Sequence, residues 1–182
     1  IERFFGKKVR ERLETPSVDS VGNPISSTTV EEFYYYLDDA FEAEKPFIYV
    51  LDSMDTLSSA PEQKKFVEHK KAFQKSKQGD KPQEVAGSYG DGKAKFNSAN
   101  LRTVIPKLEK SGSILIIINQ TRDNVGGFVL EKKTRSGGRA LRFYSTLEMW
   151  SSQRERIKKL VRGKQRQTGI VSQVKIKKNR QT

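Results

Sequence analysis

The chain has 182 residues, with 35 Lys and Arg against 22 Asp and Glu, a formal net charge of +13, one histidine and no cysteine. This composition excludes disulfide bonds, thiolate zinc sites and cysteine nucleophiles, and it fits the reducing cytoplasm. Because 34% of the residues are hydrophobic and no apolar run exceeds five residues, the sequence predicts a globular domain with no membrane-spanning helix.

The first strong pattern along the chain is a helix followed by an apolar strand. Thr28 and Glu31 have the spacing of a capping box, and apolar residues then recur at helical intervals, which predicts a helix over residues 29–44. Residues 47–51 show no polar alternation, which predicts a strand buried on both faces. Asp52 stands at the carboxyl end of that strand.

A second helix and strand follow the same order. Residues 98–110 have apolar side chains on one helical face, with a bend expected at Pro106, and residues 113–119 form a second apolar strand that ends at Gln120. This order predicts an α/β fold with a central, mostly parallel sheet and flanking helices. Since ligands of such sheets bind beyond the carboxyl ends of the strands, Asp52 and Gln120 are candidate site residues.

Two segments have the composition of loops. Residues 58–95 and 121–138 are rich in glycine, lysine and small polar residues, which predicts long, mobile loops of the kind that carry function. A short amphipathic stretch over residues 66–73 predicts one helical turn or more within the first loop. The remaining predicted elements are a helix over residues 139–145 with Ala140, Leu141 and Phe143 turned inward, and strands over residues 146–150 and 170–176.

Charge is divided unevenly along the chain. Residues 1–57 hold 6 basic and 12 acidic residues, residues 58–182 hold 29 basic and 10 acidic, and residues 122–182 alone hold 17 basic and 4 acidic. A solvated surface usually interleaves the two signs, whereas clustered Lys and Arg bind a phosphate backbone by releasing its counterions. The sequence therefore predicts a nucleic-acid partner, with an extra DNA-contacting hairpin in the basic carboxyl-terminal segment, residues 153–182.

Several stretches match one protein family. Residues 115–122 (LIIINQTR) and 136–144 (SGGRALRFY) resemble the bacterial RecA recombinases and their phage relatives. The strand ending at Asp52 is similar to the Walker B strand of that family, and residues 174–180 resemble a basic strand late in its ATPase core. The resemblance extends over about residues 20–180 and implies a RecA-like P-loop NTPase core without its amino-terminal part, because the phosphate-binding motif G-x-x-x-x-G-K-[ST] does not occur.

The resemblance implies roles for five residues. Asp52 would hold the magnesium ion that accompanies ATP, with Ser53 beside it, and the alternative is a helix N-cap. Gln120 would sense the terminal phosphate, and the alternative is a polar strand end facing water. Lys178 and Arg180 would reach the nucleotide of the neighbouring subunit in a filament, and the alternative is unspecific charge in a basic tail.

The resemblance also implies the DNA contacts. Segment 121–138 matches the second DNA-binding loop of the family, and segment 58–95 occupies the place of the first. The predicted contacts are Arg122, Gly126, Gly127, Lys132, Lys133 and Arg135 in the second segment, and Lys93 and Lys95 in the first.

The function that the resemblance implies is ATP- and Mg²⁺-dependent DNA recombination. Such a protein forms a helical filament on single-stranded DNA and pairs it with homologous duplex DNA during repair, in the cytoplasm of a bacterial or phage-infected cell. Residues 1–182 would form one partial ATPase core domain that is inactive without the phosphate-binding loop. Two alternatives stay open: a RecA-fold motor of the replicative helicase or packaging type, and a non-enzymatic, basic single-stranded DNA-binding module.

Overall fold

A computed structural model describes residues 2–14, 17–77, 91–123, 133–135 and 138–181. No helix in these residues is both long and apolar enough to span a membrane. The helices are α1 (Glu2–Phe5), α2 (Lys7–Glu11), α3 (Val30–Phe41), α4 (Ala60–Ser76), α5 (Asp91–Ser111) and α6 (Arg139–Tyr144). The strands are β1 (Ile48–Leu51), β2 (Ile114–Ile117), β3 (Thr121–Asp123), β4 (Lys133–Arg135), β5 (Leu147–Val161) and β6 (Lys164–Asn179).

The start of α3 lies one residue later than predicted. The capping box is formed by Thr29 and Glu32, because the Thr29 hydroxyl accepts from the Glu32 amide while the Glu32 carboxylate accepts from the amides of Thr28 and Thr29. These donors, the Thr28 amide first, hold the pKa of the Glu32 carboxyl below its usual value. Glu31 is instead buried and accepts from the Ala60 amide at 3.2 Å. The predicted pair of Thr28 and Glu31 was therefore wrong.

The core lies between α3, α5 and β1. Buried side chains of α3, including Phe33, pack against Leu101 and Val104 of α5 and against Leu51. One polar contact lies inside this core, where the Tyr34 hydroxyl donates to Asn97 Oδ1 at 2.9 Å. Burial raises the pKa of Tyr34, so the hydroxyl stays protonated and remains a donor.

The described strands form three separate two-stranded sheets. β1 and β2 pair in parallel, with Leu51 opposite Ile117, as predicted for strands joined by crossover helices. β3 pairs with β4 and β5 with β6, both antiparallel. A central, mostly parallel sheet is not present among the described residues, and the observed architecture is mixed helices and strands around a small parallel sheet.

Among the described residues, the strands β1 and β2 are covered on one face only, which corrects the prediction of burial on both faces. Ile48 and Val50 are 65% and 53% exposed, and Ile114 and Ile116 of β2 are exposed beside them. Alternate residues such as Tyr49 pack on the core. An uninterrupted apolar run is consistent with either arrangement, since the sequence pattern does not reveal what lies against each face.

Segment 58–95 contains more helix than predicted. Residues 60–76 form α4, with Glu62 accepting from the Ser59 amide at 2.8 Å, and α5 begins at Asp91 rather than near residue 98. The many lysine and glutamine residues give this segment the polarity of a loop, but both residue types are good helix formers. The helix α5 continues through Pro106.

The predicted helix over residues 139–145 is confirmed as α6, with one correction. Ala140, Leu141 and Tyr144 pack against the core, whereas Phe143 is 64% exposed. The predicted strands over residues 146–150 and 170–176 belong to a much longer hairpin, β5–β6. Its two-residue turn has positive φ angles at both central residues, Arg162 and Gly163, which suits the right-handed twist of paired strands.

Candidate functional site

The two predicted site residues follow adjacent strands at the same edge of the parallel sheet. Asp52 comes directly after Leu51, and Gln120 lies three residues after Ile117, which is the partner of Leu51. The pairing continues past the strands, because the Ile118 amide donates to the Leu51 carbonyl at 2.9 Å and the Met54 amide donates to the Ile118 carbonyl at 3.0 Å. The side chains of Asp52 and Gln120 are both exposed, so the structure presents them to solvent at one edge.

A carboxylate that sequence reasoning missed binds the backbone of Gln120. The Gln120 amide donates to Asp55 Oδ2, and this contact holds the end of one strand against the turn that follows the other. Within that turn, the Thr56 hydroxyl donates to the Ser53 carbonyl at 2.8 Å, and Ser53 itself is buried. The spacing of two aspartates around one turn, D-S-M-D, was the available signal. Ser53 thus contributes to the turn, and Asp52 is the exposed acid.

Magnesium requires few protein ligands when phosphates and water supply the rest of its coordination shell. Among the described residues, no three His, Cys, Asp or Glu side chains gather into a metal-binding group. Of the two described aspartates in the turn after β1, Asp52 presents an exposed carboxylate, whereas Asp55 accepts from the Gln120 amide. This donor set fits a nucleotide-bound magnesium ion and does not fit a metal site built by the protein alone.

The strand edge leads directly into segment 121–138. Gln120 is followed by β3, whose first residue, Thr121, lies opposite Arg135 of β4, so the described ends of the segment are paired. Arg122 lies on β3, and Lys133 on β4 is exposed. The other predicted contacts in this segment, Gly126, Gly127 and Lys132, lie outside the described residues.

Gly138 joins this segment to the start of α5. It precedes α6 with φ of 83° and ψ of −178°, and a Cβ atom placed there would lie 2.6 Å from the Ala94 Cβ. The flanking residues Lys93 and Lys95 therefore lie beside the carboxyl end of segment 121–138. Lys95 is exposed, whereas the Lys93 ammonium lies 3.9 Å from Glu62 Oε2 and its side chain is mostly buried.

The same region contains a partial match to the phosphate-binding motif. Residues 87–93 (GSYGDGK) have its glycine and lysine spacing, but Ala94 stands where the motif requires a hydroxyl. Ala94 packs on Gly138 and Lys93 pairs with Glu62, so both side chains serve the packing of α5. This stretch therefore lacks the hydroxyl residue that completes the phosphate-binding motif.

The distal part of the hairpin is an exposed basic ribbon, here called the basic arm (residues 151–173). It holds seven basic residues and one acidic residue, and every side chain along it is exposed apart from the half-buried Gly169. Two register shifts interrupt its pairing, between residues 153 and 155 and between residues 157 and 158, and a third lies just before it, between residues 148 and 149. The predicted DNA-contacting hairpin thus exists as a structural element, and its contact with DNA stays a prediction.

The two predicted residues at the end of the hairpin, Lys178 and Arg180, both contact α6. Lys178 donates from Nζ to the carbonyl oxygens of Arg142 and Phe143, the last turn of α6, where a cation offsets the helix dipole. Partial desolvation and the nearby Arg180 lower the pKa of Lys178. Arg180 is exposed, with its guanidinium carbon 5.7 Å from the centre of the Phe143 ring. A role of either residue at a neighbouring subunit stays a prediction.

Comparison with known proteins identifies the family. The RecA N-terminal domain family matches residues 78–182, which is more than half of the chain and includes the second strand, segment 121–138 and the hairpin. The chain belongs to the RecA family. The match starts later than the resemblance over residues 20–180 suggested, so Asp52 and Ser53 lie outside it.

Individual relatives agree with this assignment at low identity. Protein RecA of Gloeothece citriformis is 32% identical over 101 residues, which is 53% of this chain and 28% of that protein. Protein RecA of Limosilactobacillus reuteri is 39% identical over 79 residues, covering 41% of this chain and 22% of that protein. Protein RecA of Bacillus cereus is 38% identical over 79 residues. The chain thus spans about a quarter of the length of these curated relatives.

The structure links Asp52 to the matched RecA region. β1, which precedes Asp52, pairs with β2 inside the match, and α3 packs on α5 through the shared core. Residues 30–57 are therefore part of the same folded unit as the matched residues. The position of Asp52 is set by this pairing and does not depend on sequence similarity around it.

Proposed function

We propose that this chain is the part of a RecA-type recombinase that couples the nucleotide state to DNA binding. The complete protein would have a RecA-like P-loop NTPase core, bind single-stranded DNA as a helical filament and pair it with homologous duplex DNA during repair. It would act in the cytoplasm of a bacterial or phage-infected cell. ATP with Mg²⁺ would act chiefly as a switch, with DNA-dependent hydrolysis releasing the DNA.

One observation supports this proposal above the others: the strand that ends at Gln120 continues directly into segment 121–138. Gln120 is tied through its amide to Asp55, and the next residue, Thr121, is already paired with Arg135 across the base of segment 121–138. A ligand that moves Gln120 therefore moves the strand that leads into the segment. This continuity gives a physical route from the edge to the proposed DNA contacts, which are Arg122, Gly126, Gly127, Lys132 and Lys133. The further proposed contacts, Lys93 and Lys95, flank Ala94, which packs on Gly138.

The proposed nucleotide site uses the same edge. Asp52 would hold Mg²⁺ through its exposed carboxylate, and Gln120 would contact the terminal phosphate with its side-chain amide. The phosphate loop would come from residues that this chain does not contain. Lys178 and Arg180 would complete the site of a neighbouring subunit, for which Lys178 would have to leave the α6 carbonyls that it now contacts.

We expect the chain to bind single-stranded DNA with a steep dependence on salt and little dependence on base sequence. Phosphate contacts release counterions. The affinity for a labelled oligonucleotide should therefore fall by roughly tenfold or more between about 50 and 200 mM salt. Fluorescence anisotropy with oligonucleotides of different sequence measures both properties. Affinity that does not change with salt would contradict the proposed phosphate contacts.

Replacement of Gln120 by alanine tests the coupling. In a protein that also carries the phosphate loop, Gln120→Ala should leave ATP binding nearly intact and remove the increase in DNA affinity that a non-hydrolysable ATP analogue causes, a coupling of about tenfold. The reason is that a switch shifts an equilibrium only through its different affinity for the two states. A variant that keeps the full response to the analogue would favour the motor or the simple DNA-binding function.

A further inference from the structure

Arg135 is held in a compact cluster with residues of the hairpin. Its Nη2 lies 2.7 Å from Glu148 Oε1, and the two side chains are only 17% and 13% exposed. The indole Nε1 of Trp150 donates to the same carboxylate oxygen at 2.8 Å. We call Arg135, Glu148, Trp150 and Lys177 the Trp150 cluster.

The hairpin places these groups on one face. Glu148 and Trp150 alternate along β5, so both side chains leave the strand on the same side. The register shift beside Glu148 leaves Lys177 without an opposite residue in the ladder, and its ammonium lies 4.9 Å from the centre of the indole ring. The guanidinium carbon of Arg135 lies 5.7 Å from the same centre. Two cations therefore lie near the indole ring, and each is attracted by the negative potential of the ring faces.

The ion pair in this cluster is sensitive to the loss of either partner. Removing one charge of a mostly buried pair leaves the other charge desolvated and unbalanced. Glu148 Oε2 has no hydrogen-bond partner among the described residues, so its carboxylate depends on the contacts of Oε1. The Arg135 guanidinium thus forms its ion pair within the protein, whereas the neighbouring Lys133 side chain is exposed to solvent.

We propose that Glu148 and Trp150 are positioning residues that hold Arg135, and with it the carboxyl-side strand of segment 121–138, against the hairpin. Arg135 then serves the placement of the segment and does not contact a DNA phosphate. This inference rests on the proposed function, in which segment 121–138 meets DNA. A segment that is held in place beforehand binds with a smaller loss of conformational entropy.

The test compares Glu148→Gln, Arg135→Ala and the double variant with the parent chain. We expect both single variants to weaken single-stranded DNA binding by the same factor, about fivefold. The double variant should bind no worse than either, because each of the three variants breaks the same contact between Arg135 and Glu148. The salt dependence of Glu148→Gln should equal that of the parent. Glu109→Gln is the matched control, since it removes the same charge from an exposed position of α5 that lies outside the proposed DNA contacts, and it should not weaken binding.

The fluorescence of Trp150 provides a readout without DNA, because this is the only tryptophan in the chain. Glu148→Gln and Arg135→Ala should each shift its emission, and Glu109→Gln should not. Emission that is unchanged in both cluster variants would overturn the inference. So would tighter DNA binding by Glu148→Gln together with a salt slope lower by about one unit in Arg135→Ala, which is the behaviour of a direct phosphate contact. A parent chain that binds no DNA would instead contradict the proposed function.

Discussion

Replacement of Gly138 by alanine is expected to destabilise the chain by about 3 kcal/mol, the sum of backbone strain and overpacking. With φ of 83° and ψ of −178°, Gly138 occupies a backbone region that only glycine adopts readily. A new Cβ would also lie 2.6 Å from the Ala94 Cβ and 3.1 Å from its Cα, so α5 and α6 would have to separate. Chemical denaturation followed by circular dichroism measures the free energy of unfolding.

Gly112→Ala is the matched control for this substitution. Gly112 also has a positive φ, 65°, but a Cβ atom there would meet nothing within 4 Å. The free energy of unfolding of the control should therefore fall only by the cost of left-handed backbone at a residue with a Cβ atom, about 1 kcal/mol. Equal losses of stability in the two variants would contradict the close packing of Gly138 on Ala94.

Neutralising the basic arm is expected to weaken single-stranded DNA binding about a hundredfold at 100 mM salt, with a salt slope smaller by about three units if four phosphate contacts are lost. The physical reason is that the arm exposes its charges along both strands of a narrow ribbon, so several can follow one phosphate backbone. The variant replaces six residues with glutamine: Arg156, Lys158, Lys159, Arg162, Lys164 and Arg166.

The chain offers a control with the same change in net charge. Residues 64–77, in and directly after α4, also carry six lysines, and their replacement by glutamine preserves helix propensity. This control should lose much less affinity, because its lysines are spread around a helix. Equal losses would mean that DNA responds to total charge, and the arm would have no special role. Circular dichroism of both variants checks that helix and strand content is retained.

The sequence predicted the elements of the fold better than their limits. Apolar periodicity identified α3 and α5, and uninterrupted apolar runs identified β1 and β2. The order of these elements predicted the parallel pairing of β1 with β2. The start of α3 was missed by one residue because two threonines and two glutamates are adjacent there, and local rules do not choose between them. The choice depends on a distant contact, that of Glu31 with the Ala60 amide.

The sequence predicted α4 and the hairpin too short, for two different physical reasons. The lysine-rich stretch of α4 has weak apolar periodicity, so its helix propensity was the better guide. In the hairpin, register shifts break the alternation of side chains that identifies a strand. The turn at Arg162 and Gly163 was the local signal that predicts two strands folding back on each other.

The candidate site was predictable where it depends on topology and unpredictable where it depends on packing. Asp52 and Gln120 follow from the rule that parallel strands end at one edge. The ion pair of Arg135 with Glu148 joins two elements through side-chain geometry, and nothing in the spacing of the two residues along the chain indicates it. For the same reason, the role predicted for Arg135 from the resemblance did not anticipate its burial.

The register shifts in β5–β6 have a consequence for the behaviour of the protein at high concentration. No other described strand pairs with this ribbon, so both of its edges are open in that part of the chain. A flat open edge recruits further strands and forms aggregates. Each shift interrupts the regular repeat of free amide and carbonyl groups and increases the local twist, while the row of lysines and arginines repels a second ribbon. The register shifts and the row of charges therefore both oppose the stacking of the long hairpin into larger sheets.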